Sequence, residues 1–501
     1  MGQGEPLKRR APNPVALLCL LAGLARLGPC ALAQSPLPGA IEAVLARSGI
    51  PRDAVTILVA DVQDAAPPRL SHCADTPVNP ASIMKLVTTY AALDLLGPAY
   101  TWKTPVLADA AVREGVLTGN LHIRGQGDPT LVVERLWLLL RRVQALGIRR
   151  IAGDIVLDHS AFESIDVDPA SFDGEPLRPY NAAADALLIN FKSVQMTFTP
   201  QRLDNTVLIA YEPALAGVRL QTSAALVAGE CGDYRAALKA DVADPRRIGF
   251  AGSYPASCGE KVWPLAYADP SSFAARAIEG LWRLMGGSLD GTVRDGPMPA
   301  APSGAGIGFE IASPTLAEVV RDINKFSNNV MAQQLFLTLS LAPDRNGSGA
   351  TGAASAPAQA TLEASRTLIR RWWQERIGSM EEPVLDSGSG LSRQQRISAR
   401  ALVRLLQSAY ASAVMPELMA SLPSFGADGT LRARRALAQG GAHLKTGSLR
   451  DVSGVAGYVL AASGKRYALV AIANHGNAQA FRPVIDALLD WTIRDRAGAG
   501  R

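Results

Sequence analysis

Apolar residues recur along this chain with two spacings, and the spacing that dominates changes with position. From Pro38 to Ser48 the pattern is helical, and Val55–Asp61 (VTILVAD) is a β-branched, apolar run that predicts a strand. The segment NPASIMKLVTTYAALDLLG then places apolar side chains at Ile83, Leu86, Val87, Tyr90, Ala91 and Leu95. Asn79 can cap it, Pro80 suits a first helical turn and Gly97 ends it, so a buried helix is predicted with Ser82 in its opening turn. Between about Val106 and Pro270 short alternating runs take over, among them Leu121–Arg124, Ile155–Asp158, Val194–Phe198 and Thr206–Tyr211. Gly, Pro, Asp and Asn separate them, which predicts one or two β-rich insertions. Helical spacing returns at Phe273–Met285, in a capped helix from Ser313 toward Lys325, from about Asn329 to Ser340, and at Thr361–Arg376. Residues 343–360, rich in Ala, Gly and Ser, predict a surface loop. Val452–Leu460 and Tyr467–Ala473 alternate as a hairpin, and an amphipathic helix, Pro483–Arg494, packs on it.

The 501 residues are 48% hydrophobic and 19% charged, which suits two or three packed domains and excludes a disordered chain. The formal charge of +5 owes much to Lys8, Arg9, Arg10 and Arg26. Beyond residue 33 the chain is nearly neutral, so nothing electrostatic points to nucleic acid. Those first 33 residues read as an export signal: a basic start, an apolar run from Val15 to Leu27, and Ala31-Leu32-Ala33 before Gln34. An uncleaved anchor is disfavoured because Arg26 interrupts the short apolar run, and Pro29 argues against a lipoprotein site at Cys30. No later segment offers a membrane span, so the expected location is the periplasm. Cys231 and Cys258 lie in turn-rich sequence and make a disulfide candidate, although Cys73 leaves other pairings open. Cys73 is otherwise expected to be a buried thiol.

Three short motifs carry chemistry. Ser82-Ile83-Met84-Lys85 puts a hydroxyl and an amine on one helical face, where the amine can activate the hydroxyl once its proton is gone. Burial and a second cation would achieve that, and Lys85 sits in an otherwise apolar helix, a costly place for an idle charge. Ser327-Asn328-Asn329 falls between two helices and can aim side chains into a cleft. Lys445-Thr446-Gly447-Ser448 precedes the hairpin in a chain with only nine lysines. On a strand Lys445 and Gly447 face one side, Thr446 and Ser448 the other, and the glycine permits close approach of a substrate backbone.

In this order the motifs are the signature of penicillin-recognising serine enzymes. The chain resembles the class C low-molecular-mass penicillin-binding proteins, the D-alanyl-D-alanine carboxypeptidase/endopeptidases. The resemblance also takes in Gly125-Gln126-Gly127-Asp128-Pro129-Thr130-Leu131, Gly252-Ser253-Tyr254-Pro255 and Asp386-Ser387-Gly388-Ser389-Gly390-Leu391-Ser392-Arg393. The long interval from Ser82 to Ser327 is its most discriminating feature, since ordinary β-lactamases carry far less sequence there.

The resemblance implies an α/β (α+β) fold: a β-lactamase/transpeptidase-like domain with an antiparallel sheet flanked by helices, plus nested β-rich inserted domains. Residues 34–106 and 270–501 are assigned to the peptidase domain and 107–269 to the insertion, with a nested subdomain near 160–230. It implies that Ser82 is the nucleophile, Lys85 its base and Ser327 the proton carrier. Asn329, Lys445, Thr446, Gly447 and Ser448 would bind substrate, with the N–H groups of Ser82 and Ser448 as the oxyanion hole. Peptidoglycan peptides are the implied partners and β-lactams the implied covalent inhibitors, with no cofactor or metal. Two positions depart from the family pattern: Asn328, where aspartate is frequent, and Ser448, where threonine is commoner.

Other classes fit less well. His72, His122, His159, His443 and His475 are scattered, and no Gly-x-Ser-x-Gly elbow or zinc-peptidase spacing occurs. His443 is expected as a strand residue without a catalytic role, and Asp128 and Asp158 as turn residues. A catalytically silent scaffold would have lost at least one of Ser82, Lys85, Ser327, Asn329 or Lys445, and all are present.

Overall fold

The structure is a computed structural model and describes residues 36–63, 66–165, 167–300, 306–341, 359–378 and 383–496. The export signal and nearly all of the 343–360 loop lie outside the described residues.

The strand predicted at Val55–Asp61 forms, and it pairs with the last strand of the chain, Arg466–Asn474, from Val55 opposite Ala473 to Asp61 opposite Tyr467. Leu70–His72, Val55–Asp61, Arg466–Asn474, Val452–Leu460 and Ala442–Leu449 follow one another in a five-stranded antiparallel sheet. Side-chain alternation splits this sheet between two cores. Ile57, Val59, Leu469 and Ala471 face the Gly39–Ser48 and Arg482–Ile493 helices. Leu58, Ala60, Val470 and Ile472 face the helix Lys85–Leu96 and the helices packed around it. That helix is buried nearly all round, as its apolar composition dictates. The strand Ala442–Leu449 is left at the edge of the sheet.

A third core lies in the insertion. Two five-stranded sheets, one around Ser193–Gln201 and one around Leu121–Arg124, share it with two helices, Val133–Ala145 and Phe273–Leu284. The first of these helices was not anticipated. It links Leu121–Arg124 to the parallel strand Ile155–Asp158, and a parallel pair needs such a crossover. The insertion is therefore mixed α/β rather than chiefly β.

The expected return to the peptidase body at residue 270 moves to about Ser313. Phe273–Leu284 buries Phe273, Ile278 and Trp282 in the inserted core, and Ile307–Ala312 pairs antiparallel with Lys103–Ala108. Departing and returning chain meet where Ser313 N–H donates to the Trp102 carbonyl at 3.0 Å. Ala399–Tyr410 and Met415–Ser421 are two further helices, beyond those expected from the sequence. The Cys231–Cys258 disulfide is present. Cys73, expected to be buried, is only half-buried.

Candidate active site

Ser82 sits in a single 3-10 turn, Ala81–Met84, that feeds into the Lys85–Leu96 helix. With three residues per turn, positions i and i+3 eclipse, so Lys85 lies beneath Ser82 with Nζ 3.0 Å from Oγ. The turn is pinned by Asn79, whose Oδ1 accepts the Ala81 N–H at 2.9 Å and whose Nδ2 donates to the Ser392 carbonyl at 2.9 Å.

Lys85 is wholly buried. Its Nζ donates to Asn329 Oδ1 at 2.6 Å and to the carbonyl of Ser389. A neutral amine has two N–H groups and one lone pair. The two acceptors take the N–H groups and leave the lone pair for the Ser82 hydroxyl. Burial, and then the positive charge of Lys445, push the Lys85 ammonium well below its ordinary value. Both effects favour the neutral amine, the form that can accept a proton.

Ser327 ends the Leu316–Phe326 helix in a left-handed conformation, φ 56°, which for a non-glycine residue costs about 1–3 kcal/mol and persists only where its surroundings hold it. Its Oγ accepts from Lys445 Nζ at 2.8 Å. Asn328 Oδ1 accepts the Met331 N–H at 3.0 Å and caps the following helix, Asn329–Leu341. Aspartate and asparagine are equally good caps, so the departure at Asn328 leaves the geometry intact.

Lys445 is also wholly buried, and burial lowers its ammonium to about 7. Gly447 was expected to admit a substrate backbone. In the structure the Ser82 turn fills that space: a Cβ on Gly447 would stand 2.4 Å from the Pro80 carbonyl oxygen. Thr446 Oγ1 meets Thr430 Oγ1 at 2.9 Å. Ser448 faces the cleft.

That cleft, of about 1000 Å3, runs between the peptidase body and the insertion, with Ser82, Ser327, Asn329 and Ser448 on one side and Tyr180 and Phe191 on the other. The Tyr180 carbonyl accepts from Asn329 Nδ2 at 3.4 Å. Asp128 and Asp158 are buried, where they accept the N–H groups of Thr130 and Ser160 respectively. His443 bridges to Ser424 and does not line the cleft. No role for the 386–393 segment follows from its sequence, and in the structure its Ser389 carbonyl completes the Lys85 environment.

Comparison with known proteins agrees with this architecture. The model of the D-Ala-D-Ala carboxypeptidase 3 (S13) family matches residues 37–494. A D-alanyl-D-alanine carboxypeptidase from Actinomadura sp. (strain R39) is 29% identical over 413 residues, covering 80% of this chain and 73% of the relative. The D-alanyl-D-alanine carboxypeptidase DacB of Haemophilus influenzae is 24% identical, with 79% of this chain and 80% of the relative covered. The crystal structure of penicillin binding protein 4 from Haemophilus influenzae superposes with a TM-score of 0.67 at 22% identity, covering 90% of this chain and 99% of that one. The fold is therefore that of the penicillin-binding peptidases. On the match across residues 37–494, the chain belongs to the D-Ala-D-Ala carboxypeptidase 3 (S13) family.

Proposed function

We propose that Ser82 carries the acyl group of a serine D-alanyl-D-alanine carboxypeptidase and endopeptidase, with Lys85 as its base. As a member of its family the chain is a D-Ala-D-Ala carboxypeptidase. The observation that carries the assignment of roles is the environment of Lys85 Nζ, which lies within hydrogen-bond reach of the Ser82 hydroxyl, Asn329 Oδ1 and the Ser389 carbonyl.

Lys85 takes the Ser82 proton as Oγ attacks the carbonyl carbon of the penultimate D-alanine. The oxyanion is held by the N–H groups of Ser82 and Ser448. Ser327 Oγ already accepts from Lys445, so its own O–H is free to donate. It gives that proton to the nitrogen of the departing D-alanine and takes in its place the proton that Lys85 holds, and the C–N bond breaks. Water then attacks the ester, releasing the shortened peptide and returning the proton to Ser82. Lys445 attracts the terminal carboxylate. In a cross-link the leaving amine belongs to a second stem peptide, so the same step acts as an endopeptidase. In a β-lactam the leaving nitrogen stays tethered, so the adduct on Ser82 persists. The export signal read in the sequence and a substrate in the cell wall both support a periplasmic location. Among the described residues no helix is long and apolar enough to cross a membrane. Release of D-alanine from a pentapeptide, and cleavage of a cross-linked dimer, test the two activities. Neither product from folded enzyme would overturn the reading.

The substrate docks as a strand on the open edge of Ala442–Leu449. Leu444 N–H crosses that edge to the Pro423 carbonyl at 2.9 Å, so Thr446 and Ser448 present their N–H groups to the same edge, by the two-residue period of a strand. Ser448→Pro removes one such donor without breaking the ladder, a substitution that edge strands tolerate. Acylation by penicillin should drop by about 10²–10³ or more while the melting temperature holds. Acylation at the parent rate would show that this N–H is unused.

A further inference from the structure

Ser327 is held in a left-handed conformation, φ 56°, and a loop that no motif includes packs against the helical turn just before it. Residues 423–425 cover the first half of the Ala442–Leu449 edge. Phe425 N–H donates to the Ala442 carbonyl, and Leu444 N–H donates to the Pro423 carbonyl, both at 2.9 Å. The chain then turns through Asp428-Gly429-Thr430. Asp428 Oδ2 pairs with Lys325 Nζ at 2.6 Å, two residues before Ser327, while its Oδ1 accepts the Ser424 N–H at 2.8 Å. Gly429 is left-handed, φ +54°, and lies against the Lys325 backbone, so that a Cβ there would stand 2.6 Å from the Lys325 carbonyl oxygen. Thr430 reaches Thr446 at 2.9 Å. The loop thus grips the last turn of the Ser327 helix with Asp428 and Gly429 and the Lys445 strand with Thr430. Ser327 and Lys445 meet between those two grips at 2.8 Å.

We propose that Asp428, Gly429 and Thr430 are positioning residues that set the Ser327–Lys445 contact, and through it the delivery of a proton to the leaving nitrogen. This rests on the role given to Ser327 above. The three residues act through Lys325 and Thr446 and need not touch the substrate. A small misplacement of a catalytic hydroxyl is enough to slow a reaction by orders of magnitude.

The test uses Asp428→Asn and Thr430→Val in the full chain, with kcat and KM on a D-Ala-D-Ala peptide measured beside the rate of penicillin acylation. Both variants should lose about 10-fold in kcat and in acylation rate with KM little changed. Lys325→Met combined with Asp428→Asn should be no slower than either alone, because the two act as one unit. Asp428→Glu should recover part of the loss. A merely structural loop would lower the melting temperature and leave kcat intact, and kcat within twofold of the parent in both variants overturns the proposal. Should Asp428→Asn fail to fold, the exposed Thr430→Val decides. Failure of the parent itself to form an adduct on Ser82 would instead overturn the reading of the active site.

Discussion

Lys85→Met should lower the rate of acylation by benzylpenicillin about 10³- to 10⁴-fold, the upper range for loss of a general base. Methionine matches the lysine stem in length and apolar character, so it keeps the packing of a wholly buried helix position. What it removes is the lone pair 3.0 Å from Ser82 Oγ. The nucleophile, Ser327 and the cleft all remain. Stopped-flow acylation beside a thermal melt is the check: a folded variant that acylates within tenfold of the parent would mean that another group takes the Ser82 proton. No other titratable side chain is bonded to that hydroxyl among the described residues.

Lys445→Met should cost about 10²–10³ in the same rate and should also change the pH profile. Lys85 must be unprotonated to act, and Lys445 must be protonated to favour the carboxylate and to bond Ser327. In the parent, activity therefore rises with pH through the depressed value of Lys85 and falls again as Lys445 loses its proton, at about 7 in the free enzyme. Removing Lys445 takes away a positive charge that lowers Lys85. The Lys85 value should then rise, moving the acid limb of kcat/KM to higher pH, while the alkaline limb due to Lys445 disappears. An acid limb that stays in place would show that burial alone sets Lys85.

Much of this site could be read from local sequence, because its parts are local patterns. Ser82 and Lys85 are three residues apart on one turn, and Val55–Asp61 is a run of strand-forming residues whose bounds the structure reproduces. Features that depend on distant partners were not legible. The Ser389 carbonyl on Lys85 is a backbone group far along the chain, and no residue type marks it. Gly447 signals a close approach, but only the fold says that the Pro80 carbonyl is what approaches. The return of the chain near Ser313 depends on the pairing of Ile307–Ala312 with Lys103–Ala108, two strands at opposite ends of the insertion. The Val133–Ala145 helix is a different case. Its apolar face, Leu136, Leu139, Leu140 and Val143, has the helical period, and the β-strand texture on either side obscured it. The hold of Asp428 on Lys325 carries no sequence signal, since ion pairs between distant segments have no periodicity.

Everything above turns on Ser82 as the nucleophile of a penicillin-binding peptidase. That role is tested most directly by the intact mass of the protein after incubation with benzylpenicillin, with Ser82→Ala treated alongside. A persistent adduct of one penicillin is expected on the parent and none on the variant. An adduct on Ser82→Ala, or an unmodified parent with the penicillin either intact or hydrolysed, would contradict it.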